Sequence, residues 1–163
     1  MFHVSFDKKN IGDNLMSPTS AVEIIVFRFN ETFSISPAES TSFVHDGITM
    51  TEYENEPFVV GDYNHNQVEF MHLSHEKWYT ASQFPHKNRI FGYAVVSRPG
   101  KVFLLGGCCD DNWGHSVSEE IYLYENDIWE MVGNLKHARM NFMTITYGTD
   151  VMIIGGKTFE NQQ

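Results

Sequence analysis

Short apolar runs with a period of two recur along the chain, each cut off by glycine or by a turn. Val102-Phe103-Leu104-Leu105 runs into Gly106-Gly107, and Val151-Met152-Ile153-Ile154 runs into Gly155-Gly156. Pro57-Phe58-Val59-Val60 meets a single glycine, Gly61, before Asp62. From Gly61 to Gly106 is 45 residues and from Gly106 to Gly155 is 49, while Trp78 and Trp129 lie 51 apart and Arg89 and Arg139 lie 50 apart. Three landmarks share one period near fifty, the length of a supersecondary unit that is used repeatedly. Two-residue alternation and frequent turn residues predict strands throughout, and no segment predicts a helix.

Each unit reads as four short strands. In the clearest one, Ile90 to Val96 is the first strand and Ser97-Arg98-Pro99-Gly100 a turn with two breakers. Lys101 to Leu105 is the second strand, ended by the glycines, and Cys108 to Ser118 is a loop. Glu119 to Tyr124 is the third, with Ile121 and Leu123 on one face and Tyr122 and Tyr124 on the other. Ile128 to Val132 is the fourth, and Asn134 to Arg139 links onward. The preceding unit predicts strands at Gly47–Glu52, Phe58–Gly61, Val68–Leu73 and Lys77–Ser82. The N-terminal segment predicts only the last two strands of a unit, near Val22–Phe29 and Thr32–Ile35. The C-terminal segment predicts only the first two, Phe142–Tyr147 and Val151–Ile154. Ile11-Gly12-Asp13 mirrors Val60-Gly61-Asp62, with Phe33 in the place of a Trp. The whole reads as one repeat region: an incomplete unit over 1–42, units over 43–85 and 86–135, a half unit over 136–158 and a polar tail over 159–163.

This pattern resembles a run of kelch repeats. The marks are Gly106-Gly107, then Tyr122, then Trp129, with Gly155-Gly156 and Trp78 repeating two of them. Leu135-Lys136-His137-Ala138-Arg139 is similar to the family's link between blades. The likeness runs from Asp46 to Lys157, and it departs from the pattern where Gly61-Asp62 lacks the second glycine and Phe33 stands for Trp. The resemblance implies an all-β fold of four-stranded antiparallel propeller blades, about three of them, forming a partial propeller. It implies a non-catalytic protein-interaction module, an adaptor or scaffold. The family's other forms set the alternatives: part of a galactose-oxidase-like copper enzyme, or an actin-associated structural scaffold. Propellers close with about four blades or more. The chain therefore reads either as part of a longer propeller or as half of a homodimer whose end pieces complete each other.

Charge narrows the partners. The 163 residues hold 21 acidic and 11 basic side chains, a formal net charge of -10. Such a field repels phosphate backbones and argues against nucleic acid. No apolar run is long enough to span a bilayer, and Met1 to Lys9 shows no signal pattern, so no membrane and a cytoplasmic location are expected. The sequon Asn30-Glu31-Thr32 has no consequence there. The neighbouring Cys108 and Cys109 are too close for an unstrained disulfide and read as reduced thiols.

The structural residues are Gly61, Gly106, Gly107, Gly155 and Gly156 for backbone shape, with Trp78, Trp129 and Tyr122 as packing. No helix or Lys-Ser/Thr follows the glycines, so they cradle no phosphate. Trp113 lies in the polar stretch Asp110-Asp111-Asn112-Trp113-Gly114-His115. It is either an exposed anchor for a partner or a ring folded back on its own sheet. In the resembled family the arginine at Arg89 and Arg139 ties blades together. Strand order places the loop between strands two and three on the same face as the links. Lys87, Arg89, Asp110, Asp111, Trp113, His115, Lys136 and Arg139 thus form the candidate contact face, whose basic spots suit an acidic peptide. Cys108, Cys109 and His115 share a loop, and His72 and His75, three apart on a strand, would point to opposite faces. No zinc set completes, so no metal and no cofactor are expected. No nucleophile elbow or paired carboxylates mark a catalytic site.

Overall fold

The computed structural model describes residues 2–5, 22–26, 34–43, 45, 49–61, 66–86, 90–111 and 114–158. Side chains are described from Pro37 onward, apart from 110, 111, 114 and 115. All regular structure among these residues is antiparallel strand. Strands β1 (Phe2–Ser5), β2 (Val22–Val26) and β3 (Ser34–Ala38) form a three-stranded sheet. Strands β4 (Thr49–Tyr53), β5 (Glu56–Val60), β6 (Val68–His72) and β7 (Lys77–Thr80) form a four-stranded meander. In the third sheet β8 (Ile90–Phe91) and β9 (Ala94–Arg98) share one side of β10 (Lys101–Asp111), followed by β11 (Gly114–Glu125) and β12 (Ile128–Asn134). Strands β13 (Met143–Tyr147) and β14 (Asp150–Ile154) make a final hairpin. The first strands lie side by side, β9 touching both β4 and β13.

Turn chemistry fixes the hairpins. Glu54 and Asn55 have φ of 52° and 66°, and Asn126 and Asp127 have 52° and 60°. Two consecutive left-handed residues make the two-residue turn whose twist matches that of the strands it joins. The pairs Tyr53–Glu56 and Glu125–Ile128 close these turns.

Alternation then sends neighbouring residues into different interfaces. Phe58, Val60 and Val68 pack against Ile90, Val95, Val102, Leu104 and Tyr124 of the next sheet. Val59, Met71 and Trp78 point the other way, with Ala38 packed against them. Ala94, Val96 and Leu105 meet Leu135 and Phe142 under the last hairpin. Each fully buried side chain of this size contributes about 1.5–3 kcal/mol. Two tryptophans add a repeated staple. The indole N–H of Trp78 donates to the Glu39 carbonyl at 2.8 Å, and that of Trp129 donates to the Ser82 carbonyl at 3.0 Å. Both acceptors lie just past the last strand of the preceding sheet.

Three expectations are corrected. Gly106-Gly107 do not end their strand. They form a bulge inside β10, with φ of 56° and 107°, after which Cys108 to Asp111 pair with Gly114 to Val117. The polar 108–118 stretch is therefore mostly hairpin, because a ladder is closed by backbone groups and needs no apolar side chains. A Cβ on Gly106 would lie 2.7 Å from the Arg139 carbonyl, so only glycine lets the link pass this closely. The first strand of the same sheet is split at Gly92-Tyr93, opposite that bulge. Finally, the N-terminal segment has three strands rather than two. Phe2 and Val4 alternate with His3 and Ser5, a run too short to weigh until its pairing with β2 is seen.

Trp129 is half-buried, its ring edge-on to Phe84 at 5.1 Å and tilted on Tyr124 at 5.1 Å. Trp129→Ala is expected to cost about 3 kcal/mol, the low end for a large aromatic. Trp129→Phe, which keeps most of the ring and loses the indole N–H, is expected to cost about 1 kcal/mol. Urea denaturation of the two variants checks both values.

Candidate functional site

The expected contact face is spread over one end of the third sheet. Asp110 pairs in register with His115, and Asp111 with Gly114, at the tip of the β10–β11 hairpin. Lys136 is exposed on the link after β12. Lys87, Arg89 and Trp113 lie outside the described residues. Arg139 is committed to packing. Its backbone N–H donates to Ser118 O at 3.2 Å, its carbonyl accepts from Gly107 N at 2.9 Å, and its guanidinium donates to Gly155 O at 3.1 Å. The link thus crosses the hairpin level with Gly107 and Ser118. Cys108 and Cys109, next along β10, are still covered by β8, so the tip extends beyond the sheet body by two residues, about 7 Å of arm. Asp110, Asp111 and His115 stand on that arm, and Lys136 stands at its root.

Of the remaining singled-out groups, Cys108 and Cys109 are buried and Tyr122 half-buried, while His75, Gly155 and Gly156 are exposed. Both cysteines are unbridged. Cys109 Sγ lies 3.4 Å from His86 Nε2. Tyr122 donates to Glu120 at 3.1 Å, and burial, together with the Glu120 charge, pushes its hydroxyl up to about 12. Gly61 closes β5, and Gly155-Gly156 close β14. His72 and His75 do not point apart as expected. His75 sits on the β6–β7 turn rather than on the strand, and the two rings lie 4.4 Å apart. Among the described residues no three His, Cys, Asp or Glu side chains gather in a metal-holding group.

Sequence reasoning missed a buried ionic knot. Glu69 is fully buried in the middle of β6. Its carboxylate accepts from Ser42 N at 2.9 Å and Phe43 N at 3.2 Å, and it meets His45 Nε2 at 2.8 Å. The other ring nitrogen, Nδ1, bonds the Gly61 carbonyl. The signal was a lone acid inside Val68-Glu69-Phe70-Met71, since a buried carboxylate survives only when its lone pairs are matched. This knot clamps the link before β4 onto β5 and β6. Asn66 does the same for the next link, with its side-chain N–H donating to His86 O at 3.0 Å and its side-chain oxygen accepting from Ile90 N at 3.3 Å.

Burial alone would raise the Glu69 pKa, but the bonds from His45, Ser42 and Phe43 outweigh it and hold the carboxyl below the usual 4.5. A depressed folded value means that the unfolded chain takes up the proton first. The stabilisation is present above pH 4.5, and falls as the pH drops below it toward the folded value. Wild type is therefore expected to lose more stability than Glu69→Gln between about pH 6 and about pH 3.5. Urea midpoints for both proteins at the two pH values test this, and equal losses would remove the role given to the knot.

No family model matches the chain. Among curated proteins, an F-box/kelch-repeat protein of Arabidopsis thaliana is 30% identical over 67 residues, which is 40% of this chain and 18% of that protein. Among solved structures, that of YjhT superposes with a TM-score of 0.74 at 11% identity, covering 85% of this chain and 51% of that one. The chain spans about half the length of that structure and less than a fifth of the curated relative. The repeated indole staples, the glycine-closed strands and both likenesses agree: the chain folds as consecutive blades of a kelch-type β-propeller.

Proposed function

We propose that the chain is a non-catalytic protein-interaction module, acting as an adaptor or scaffold. One observation carries this reading: the β10–β11 arm projects past the sheet body on a base fixed by Arg139. Segments held out from a rigid scaffold are where recognition residues concentrate. The partner surface is then Asp110, Asp111 and His115 on the arm and Lys136 at its root, to which the sequence adds Trp113 and Lys87. Its basic groups suit an acidic peptide. The kelch-repeat relative supports an interaction role in general. The buried, unbridged Cys108 and Cys109 suit a reducing compartment such as the cytoplasm. Affinity capture followed by mass spectrometry tests the surface. Proteins held by wild type are expected to be lost from a Trp113→Ala, Lys136→Glu double variant. They should stay with Lys77→Glu, an equal charge change on the exposed end of β7. Identical sets from the two variants would sink the surface.

The open face of the last hairpin carries Met143, Ile145, Tyr147, Met152 and Ile154, each at least half exposed. We read this face as covered by a further blade of a longer chain, with a second copy as the other source. An apolar sheet face of this kind drives association when left bare. The chain alone is expected to self-associate at micromolar concentration in light scattering, and a stable monomer would count against the reading.

A further inference from the structure

At the end of the sheets opposite the arm, the second and third blades part to leave a groove of about 700 Å³. Its walls are aromatic: Tyr53, Phe70, Tyr79 and Tyr124, with His72. Its carboxylates are Glu54, Glu56 and Asp127, and among the described residues no lysine or arginine lines it. The groove is held open by bonds already in place. Ser82 N donates to Asp127 Oδ1 at 2.6 Å, Tyr124 donates to the same oxygen at 3.0 Å, and Trp129 donates to Ser82 O. Asp127 is thereby occupied as a wall. Hydrogen bonds from Ser82 hold its carboxyl below the usual carboxylate range, so it remains charged.

Two acids and one ring face the opening. Tyr79 is 40% exposed, and Phe70 stacks behind it at 5.7 Å and 22°. His72 meets Tyr79 edge-on at 6.3 Å. Glu54 is exposed on the β4–β5 turn, its backbone at φ 52°, and forms no ion pair with a described residue. Glu56 accepts from Leu73 N at 2.6 Å through one oxygen, and its other oxygen lies 3.5 Å from His72 Nδ1. An open tyrosine face attracts a cation through its ring quadrupole. Carboxylates in a recess walled by protein attract it more strongly than they would in open water. A long aliphatic stem suits the apolar walls while its charged head reaches the acids. The volume is that of a site for a few residues rather than for one ion.

We infer that this groove docks a lysine- or arginine-bearing segment of a partner protein, its cation over Tyr79 and paired with Glu54 and Glu56. The site is separate from the arm at the opposite end, and its ligand has the opposite charge. The test is an NMR titration of the intact chain with an acetylated, amidated peptide of sequence Gly-Lys-Gly-Arg-Gly-Lys-Gly. Saturable shifts are expected at the backbone amides of Glu54 and Tyr79. Glu54→Gln and Tyr79→Ala should each weaken binding about fivefold to tenfold. Tyr79→Phe keeps the ring face and should bind as wild type does, which separates loss of the ring from loss of the fold. Glu119→Gln removes the same charge from the middle of β11, five residues from Tyr124, and should leave the affinity unchanged. The inference is overturned by shifts that do not saturate, by an unaffected Tyr79→Ala, or by a Glu119→Gln that weakens binding as much as Glu54→Gln. In that last case the peptide follows only the net charge of -10.

Discussion

A β-sheet of this size has two broad faces, and neither can be left to water when both are apolar. Everything in the chain answers that constraint. Phe58 and Val59 are neighbours, yet one is packed toward the third sheet and the other toward the first. A middle blade thus has no outside except its two ends and its last strand. The interfaces are kept in step by polar devices rather than by apolar area alone. Asn66 and the Glu69–His45 pair close the links, and Trp78 and Trp129 fasten their rings to carbonyls of the preceding segment.

Because the faces are consumed, recognition is pushed to the ends, and the two ends differ for a reason of chain geometry. At one end the strands reverse through two-residue turns such as Glu54-Asn55 and Asn126-Asp127. These are too short to fill the space between twisted sheets, and a recess with acidic lips results. At the other end the links from one blade to the next pass by, and the β10–β11 hairpin overshoots them. One end is concave and acidic, while the other bears a projecting arm with a lysine at its root.

The strands and their order were legible because alternation and turn residues are local. The β4 to β7 meander and the β13–β14 hairpin lie within a few residues of where the pattern puts them. The overshoot of β10 was not legible, since the other glycine pair, Gly155-Gly156, does end its strand and Asp110-Asp111 looks like loop. Its pairing depends on backbone partners across the hairpin, which side-chain pattern does not report. The position of His75 was misread because strand alternation was carried into the turn that follows β6, where it no longer sets side-chain direction. The knot at Glu69 had a sequence signal, an acid in an apolar strand, but its partners His45, Ser42 and Phe43 lie more than twenty residues away. The groove had none. It is made by Tyr53, Phe70, Tyr79 and Tyr124 coming from four different strands of two sheets.

The staples also have a direction. Trp78 reaches back to Glu39, Tyr93 to Val60, and Trp129 and Asp127 to Ser82. In each case the side chain that closes the interface is made after the backbone group it binds. On a ribosome, where segments emerge from the N-terminus onward, each of these four side chains would find its backbone partner already in place. Growth of the propeller then resembles the laying of courses, with every layer keyed to the one beneath it. A nascent chain halted between blades would still have its finished interfaces fastened.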